Sequence, residues 1–337
     1  MAIEDIPSPG ARTVTCPPAL DDSTITAQLP RPPKLLEDAR EPFGHAAISY
    51  VSKFETGTPW GFDGLSSDAQ DQQGMSLGVF QWTFGGSAQS LFANIPKEVI
   101  VAVMPTWGET FYEAIHAATV PLAFSRARSM QNIDGHSATF KPYAEAEVRA
   151  FLLTDDSKAA QTAAASEMLA TAKGRAQQWS RAARGSEDPT NREITYFLDL
   201  NVFSGGSLTG NWVPGATKLR SWFANDGEMV AYICRWIRGC PWYADENPLG
   251  LYGKSDAIAS ADAWSMAIPV GTALPDDKAL LFAHGFIRAL TNRGPTQAED
   301  QSLRGVFKAQ VLCRHGVTAL GIGRANGVSW PGGVLDA

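Results

Sequence analysis

The chain lacks several features that would have narrowed its function at once. It has no uninterrupted run of about 18 apolar residues, so no transmembrane segment is expected. Its start, MAIEDIPSPGARTVTCPPALDD, has no basic stretch leading into an apolar one, so no signal peptide is expected. No CxxC pair and no Cys/His cluster at zinc spacing occurs, and neither a metal nor a cofactor is expected. No GxSxG elbow is present, and no Ser-His-Asp order can be read. Basic residues are in the minority: 28 Lys and Arg against 35 Asp and Glu give a net charge of −7. That balance argues against a nucleic-acid partner, which a basic face would serve. The five histidines are scattered, and His45 and His116 read as structural.

What remains is a globular composition. Hydrophobic residues make up 44% and charged residues 19% of 337, enough to bury a large core. Residues 1–40, with PSPG, CPP and LPRPPK, read as an extended Pro-rich arm, and residues 41–337 as the folded body. From Glu41, Ala47, Tyr50, Val51 and Phe54 recur at helical spacing until Gly57 stops them. Residues 60–84 read as a glycine-punctuated hairpin, and Ser87 suits a helix N-cap. Helices are expected at 97–103, 108–118, 144–153, 156–183 and 192–203, then at 277–291 and 297–312. The stretch 210–280, with Trp212, Trp222, Trp236, Trp242 and Trp264, reads as a Trp-rich elaboration, and the tail GIGRANGVSWPGG as loop. The class is mainly α, with a small β-hairpin. Cys234 and Cys240 are close enough for a local disulfide, with Cys16 and Cys313 as a second pair; four reduced, buried thiols are the alternative.

Two acids carry the chemistry. Glu55 ends the first helix between Phe54 and Trp60, and rings beside an acid strip hydration from its charged form. Such surroundings suit a general acid. Asp63, Asp68 and Asp71 are the candidate partner carboxylates, each in a turn-like setting. Gln81 and Trp82, at the hairpin's end, are either strand packing or a sugar-binding floor. Asp199, on the otherwise apolar helix YFLDLNVFSGG, needs a partner if buried. It either locks Arg192 or a helix end, or faces a substrate groove. GIGRANG is no nucleotide loop, and DAQDQQG does not have calcium-loop spacing.

The stretch Glu55-Thr56-Gly57-Thr58-Pro59-Trp60 and the hairpin from Asp71 to Trp82 resemble inverting chitosanases of glycoside hydrolase family 46. GMSLGVFQWTFG, with the later LLTDDSKAAQTAAASEMLATAKGRAQQW and YFLDLNVFSGGS, is similar to bacterial cell-wall hydrolases of the lysozyme-like superfamily. The resemblance covers roughly residues 44–95 and 145–210. It implies a lysozyme-like two-lobed helical fold with a small sheet at an active-site cleft. It implies Glu55 as proton donor, Asp71 as general base and Ser76 as the hydroxyl that orients water, with Trp60, Asp63, Gln81, Trp82 and Asp199 contacting substrate. An inverting mechanism would set the two carboxyl groups roughly 6.5–9.5 Å apart. The implied substrate is an aminosugar polymer, with peptidoglycan ahead of chitosan; a non-catalytic glycan-binding or structural protein of the same fold is the competing class. Without a signal peptide, action in the periplasm, at the cell wall or outside the cell implies non-classical delivery, as an injected effector with a cognate inhibitor protein or as a phage lysin.

Overall fold

A computed structural model describes residues 42–67, 74–134, 137–204, 212–239, 254–291 and 301–336. The chain is mainly α, with 13 helices and three small antiparallel sheets among these residues. It divides into two compact units, with the boundary near residue 170, inside one long helix. No described helix is long and apolar enough to cross a membrane.

The first unit begins with α1 (Pro42–Thr56), which turns Ala47, Ile48, Val51 and Phe54 inward. Strands β1 (Leu65–Ser66), β2 (Ser76–Leu77) and β3 (Trp82–Thr83) follow as an antiparallel sheet in sequence order. Leu77 faces both Leu65 and Trp82. Helices α2 (Ala88–Phe92), α3 (Lys97–Val103) and α4 (Gly108–Ile115) then lead to α5 (Val120–Ser129). Ser87 occupies the N-cap of α2, but its hydroxyl makes no capping bond.

Helix α5 and the hairpin of β4 (Gln131–Asp134) with β5 (Ser137–Phe140) were not expected from periodicity. The signal for α5 was nonetheless present. Thr119 caps it by accepting the Leu122 N–H, and Pro121 stands in its first turn, where no N–H is needed. Helix α6 (Ala144–Leu152) completes an aromatic core in which Phe111 packs edge-on against Phe84 and Phe151, and Phe92 against Phe151. Such pairs each add about 0.5–1.5 kcal/mol beyond area burial.

Helix α7 (Asp155–Arg184) buries Ala165, Leu169, Ala172 and Trp179 along one stripe, as its sequence predicts. In the second unit, α8 (Asn191–Ser204) precedes three helices in the Trp-rich stretch: α9 (Trp212–Arg220), α10 (Asp226–Arg238) and α11 (Lys254–Ala267). Asn225 caps α10 by accepting the Glu228 N–H at 3.0 Å, while Glu228 accepts the Ala224 N–H at 3.1 Å. Trp242 lies outside the described residues. Helices α12 (Asp276–Thr291) and α13 (Gln301–Leu320) pack closely. Trp264 of α11 meets Phe282 edge-on and fits over Gly316, where any side chain would collide with the indole.

The tail is not loop. Strands β6 (Arg324–Ala325) and β7 (Val328–Ser329) form a hairpin turned by Asn326 and Gly327, both at positive φ. Asn-Gly is the pair such a two-residue turn favours. Cys234 and Cys313 are buried free thiols, in line with the reduced alternative. Burial pushes their pKa values up to about 11 and about 12. Cys16 and Cys240, like the residues of the Pro-rich arm, lie outside the described residues.

Candidate active site

Glu55 sits half-buried in the last turn of α1. Gly57, at φ +77°, ends the helix by donating its N–H to the Lys53 carbonyl at 3.0 Å. Two hydroxyls then fold the outgoing chain back on the helix. Thr56 Oγ1 lies 2.9 Å from both the Ser52 and Thr58 carbonyl oxygens, and accepts the Thr58 N–H at 3.2 Å. Ser52 Oγ donates to the Thr58 carbonyl at 3.2 Å and accepts the Gly61 N–H at 3.1 Å. The chain around Glu55 is thus tied down by the Ser52 and Thr56 hydroxyls.

The same threonine fits against two glycines. A Cβ at Gly61 would overlap Thr56 Oγ1, and one at Gly64 would come within 2.5 Å of Thr56 Cγ2 and 3.0 Å of Gln81 Nε2. Gly64 in turn accepts the Gly78 N–H at 2.6 Å. A continuous path therefore runs from the end of α1 through Thr56 and Gly64 to the turn between β2 and β3. Ser76 lies on β2, half-buried, opposite Ser66 and Thr83. Asp68 and Asp71 lie outside the described residues.

Other expected substrate contacts are used internally. Gln81, at φ +52°, accepts from Ser66 Oγ at 3.0 Å and donates through Nε2 to the Gly78 carbonyl at 3.1 Å. Trp82 is buried against Phe80 and pairs with Leu77. Both therefore follow the strand-packing alternative, because the short sheet needs an apolar filling and a side-chain bond to close its turn. Trp60, at φ +50°, is also interior, with its ring between His45 and Phe62 and its indole nitrogen without a hydrogen-bond partner. Asp63 is the exception. Its carboxylate is half exposed, 4.0 Å from Arg149, whose guanidinium donates to the Asp63 carbonyl at 2.7 Å and pairs with Glu145.

Gln161 escaped notice in the sequence. It is fully buried and bonds both the β2–β3 turn and the loop after α1. Its one signal was a polar residue four positions before Ala165, on the buried stripe of α7.

Asp199 belongs to the second unit and has no exposed surface, so it contacts no substrate there. It does not lock Arg192 either. Arg314 Nε donates to one of its oxygens at 2.6 Å and His315 Nδ1 lies 3.0 Å from the other. Burial works against its charge, but Arg314 and His315 prevail and hold the carboxyl below its ordinary range. Beside it, the Tyr196 hydroxyl lies 2.8 Å from His284 Nδ1. Burial foremost, then His315 and Arg288, push the His284 pKa down to about 3. Arg192 instead pairs with Asp336 and donates to the Thr318 carbonyl.

No protein-family model, curated protein or solved structure matches this chain. The site must be judged on its own geometry. That geometry offers a half-buried carboxyl on a fixed helix end, a half-exposed carboxylate at Asp63, and a hairpin turn tied to the loop after α1 by the Gly78–Gly64 backbone bond.

Proposed function

We propose that the protein is a glycoside hydrolase that cleaves β-1,4 bonds in an aminosugar polymer, with peptidoglycan as the preferred substrate. Glu55 protonates the leaving glycosidic oxygen. Asp71 removes a proton from a water that attacks the anomeric carbon from the opposite face, with Ser76 orienting that water. The bond to the leaving oxygen breaks as the bond to water forms, and the product anomer is inverted.

The observation that carries this reading is the clamped end of α1. Ser52 and Thr56 bond the departing chain, and Thr56 fits against the glycine that receives the Gly78 N–H. A general acid gains from such fixity, because misplacement by about 1 Å can cost about 100-fold in rate. The sequence of the hairpin, from Asp71 to Trp82, is the second support.

The test is digestion of purified peptidoglycan and, separately, of chitosan, with mass analysis of the products. New reducing ends on muramic acid are expected from the first. Glu55→Gln should lower the rate by about 100-fold to 10,000-fold while leaving the fold intact. Glucosamine oligomers alone would reassign the protein as a chitosanase. Cleavage unaffected by Glu55→Gln would sink the reading.

A further inference from the structure

We propose that Gln161 is a positioning residue that holds the β2–β3 turn in register with the loop after Glu55; the proposal rests on the hydrolytic reading above. Gln161 has no exposed surface, so it meets no polymer. Its side-chain oxygen accepts the Val79 N–H at 3.0 Å. Its nitrogen lies 3.2 Å from each of three acceptors: the Phe62 carbonyl, the Leu152 carbonyl and Ser157 Oγ. Val79 belongs to the turn between β2 and β3, and Phe62 to the loop that leaves α1. One amide thus bonds the loop that follows Glu55 to the turn that follows Ser76 and β2.

The turn is shaped to receive it. Gly78 adopts φ +72°, and a Cβ there would overlap the Gln161 oxygen. Glycine at 78 therefore meets two demands: a left-handed backbone and room for an amide from α7. No apolar side chain at 161 could serve instead. It would leave the Val79 N–H and the Phe62 carbonyl without their buried partner. A role in orientation has a kinetic signature that a role in stability alone lacks. Misplacing the turn slows the chemical step, whereas substrate held by other contacts still binds.

The experiment measures kcat and KM for wild type, Gln161→Met, Gln161→Glu and Glu55→Gln on peptidoglycan and on chitosan, well below each variant's melting temperature. For Gln161→Met, kcat should fall about 10-fold to 100-fold with KM within about twofold of wild type. Gln161→Glu keeps the acceptor for Val79 and should fall less. Amide exchange at Val79 should quicken in Gln161→Met. Should that variant not fold, Gln161→Glu carries the test through its own kcat and Val79 exchange. Wild-type kcat in a folded variant, or a loss confined to KM, overturns the positioning role alone, provided that Glu55→Gln is inactive. A wild-type protein that cleaves neither polymer, or a Glu55→Gln variant as active as wild type, overturns the hydrolytic reading and this proposal with it.

Discussion

The two compact units use their polar side chains in opposite ways. In the first, hydroxyls and amides bond backbone, and the candidate acids stay half-exposed: Glu55 on α1 and Asp63 in the loop that follows it. Even its buried carboxylate, Glu147, is satisfied by the Thr106 and Trp107 N–H groups rather than by a cation. In the second unit, buried carboxylates face arginines. Asp199 meets Arg314, Glu193 meets Arg184, Asp226 meets Arg220, and Asp256 meets Arg324. Buried ion pairs carry a desolvation cost close to their attraction, so they add little net stability, yet breaking one is severe. The contrast teaches where to look for chemistry. Acids locked to arginines in an interior hold architecture, whereas Glu55 and Asp63 keep part of their surface exposed.

The contrast can be broken first at Asp199. Asp199→Ala removes the buried carboxylate that both Arg314 and His315 bond. A loss of about 3–5 kcal/mol is expected in chemical denaturation. A near-neutral result would remove the architectural role assigned to this acid.

Gly78→Ala probes the first unit by sterics instead of charge. The new Cβ meets the Gln161 amide in a left-handed backbone. Overpacking and backbone strain together should cost about 2–4 kcal/mol. Wild-type stability would mean that the turn shifts freely, against the clamped geometry described above.

Acid should separate the units by a smaller step. His284 has a folded-state pKa of about 3 against an ordinary 6.5, and burial also lowers that of His315. Both groups must gain protons on unfolding. Their contribution is therefore fully present above pH 6.5 and is lost as pH falls toward 3. The slope is at most about 1.4 kcal/mol per pH unit for each group. The low Asp199 pKa acts in the same direction, with its contribution lost below the ordinary carboxylate range. Among the described residues, the histidines of the first unit are half-buried (His45) or exposed (His116). Hydrogen exchange across pH 7 to 4 should show residues 171–336 losing protection before 42–170. Equal loss in both would overturn the expectation, and His284→Gln should flatten the slope.

Much of the first unit was legible before any coordinates. Periodic apolar residues and Gly57 gave α1 nearly to its bounds, and α3 spans Lys97–Val103 as expected. The stripe on α7 was equally plain, because alanines and Trp179 fall at helical spacing. In the second unit the helices at 191–204, 276–291 and 301–320 were also expected, but the Trp-rich stretch resisted for physical reasons. Helix α11 buries Asp256 and Ser260 along with Ala257, Ala261 and Trp264, so polar groups interrupt its apolar face. The partners of Asp199 stand 115 and 116 residues away, a distance across which no local pattern speaks. Trp60, Gln81 and Trp82 are residue types that serve either packing or ligand binding, and a sheet of two-residue strands has little else with which to close itself.

The sulfur atoms at 234 and 313 carry one more consequence. Nucleophilic attack and oxidation proceed through the thiolate, and with pKa values near 11 and 12 both side chains stay protonated at neutral pH. Cys313 also lies 3.2 Å from the Arg324 carbonyl, within a closed interior. Burial and a raised pKa therefore leave these two positions with little of the thiolate that oxidation requires.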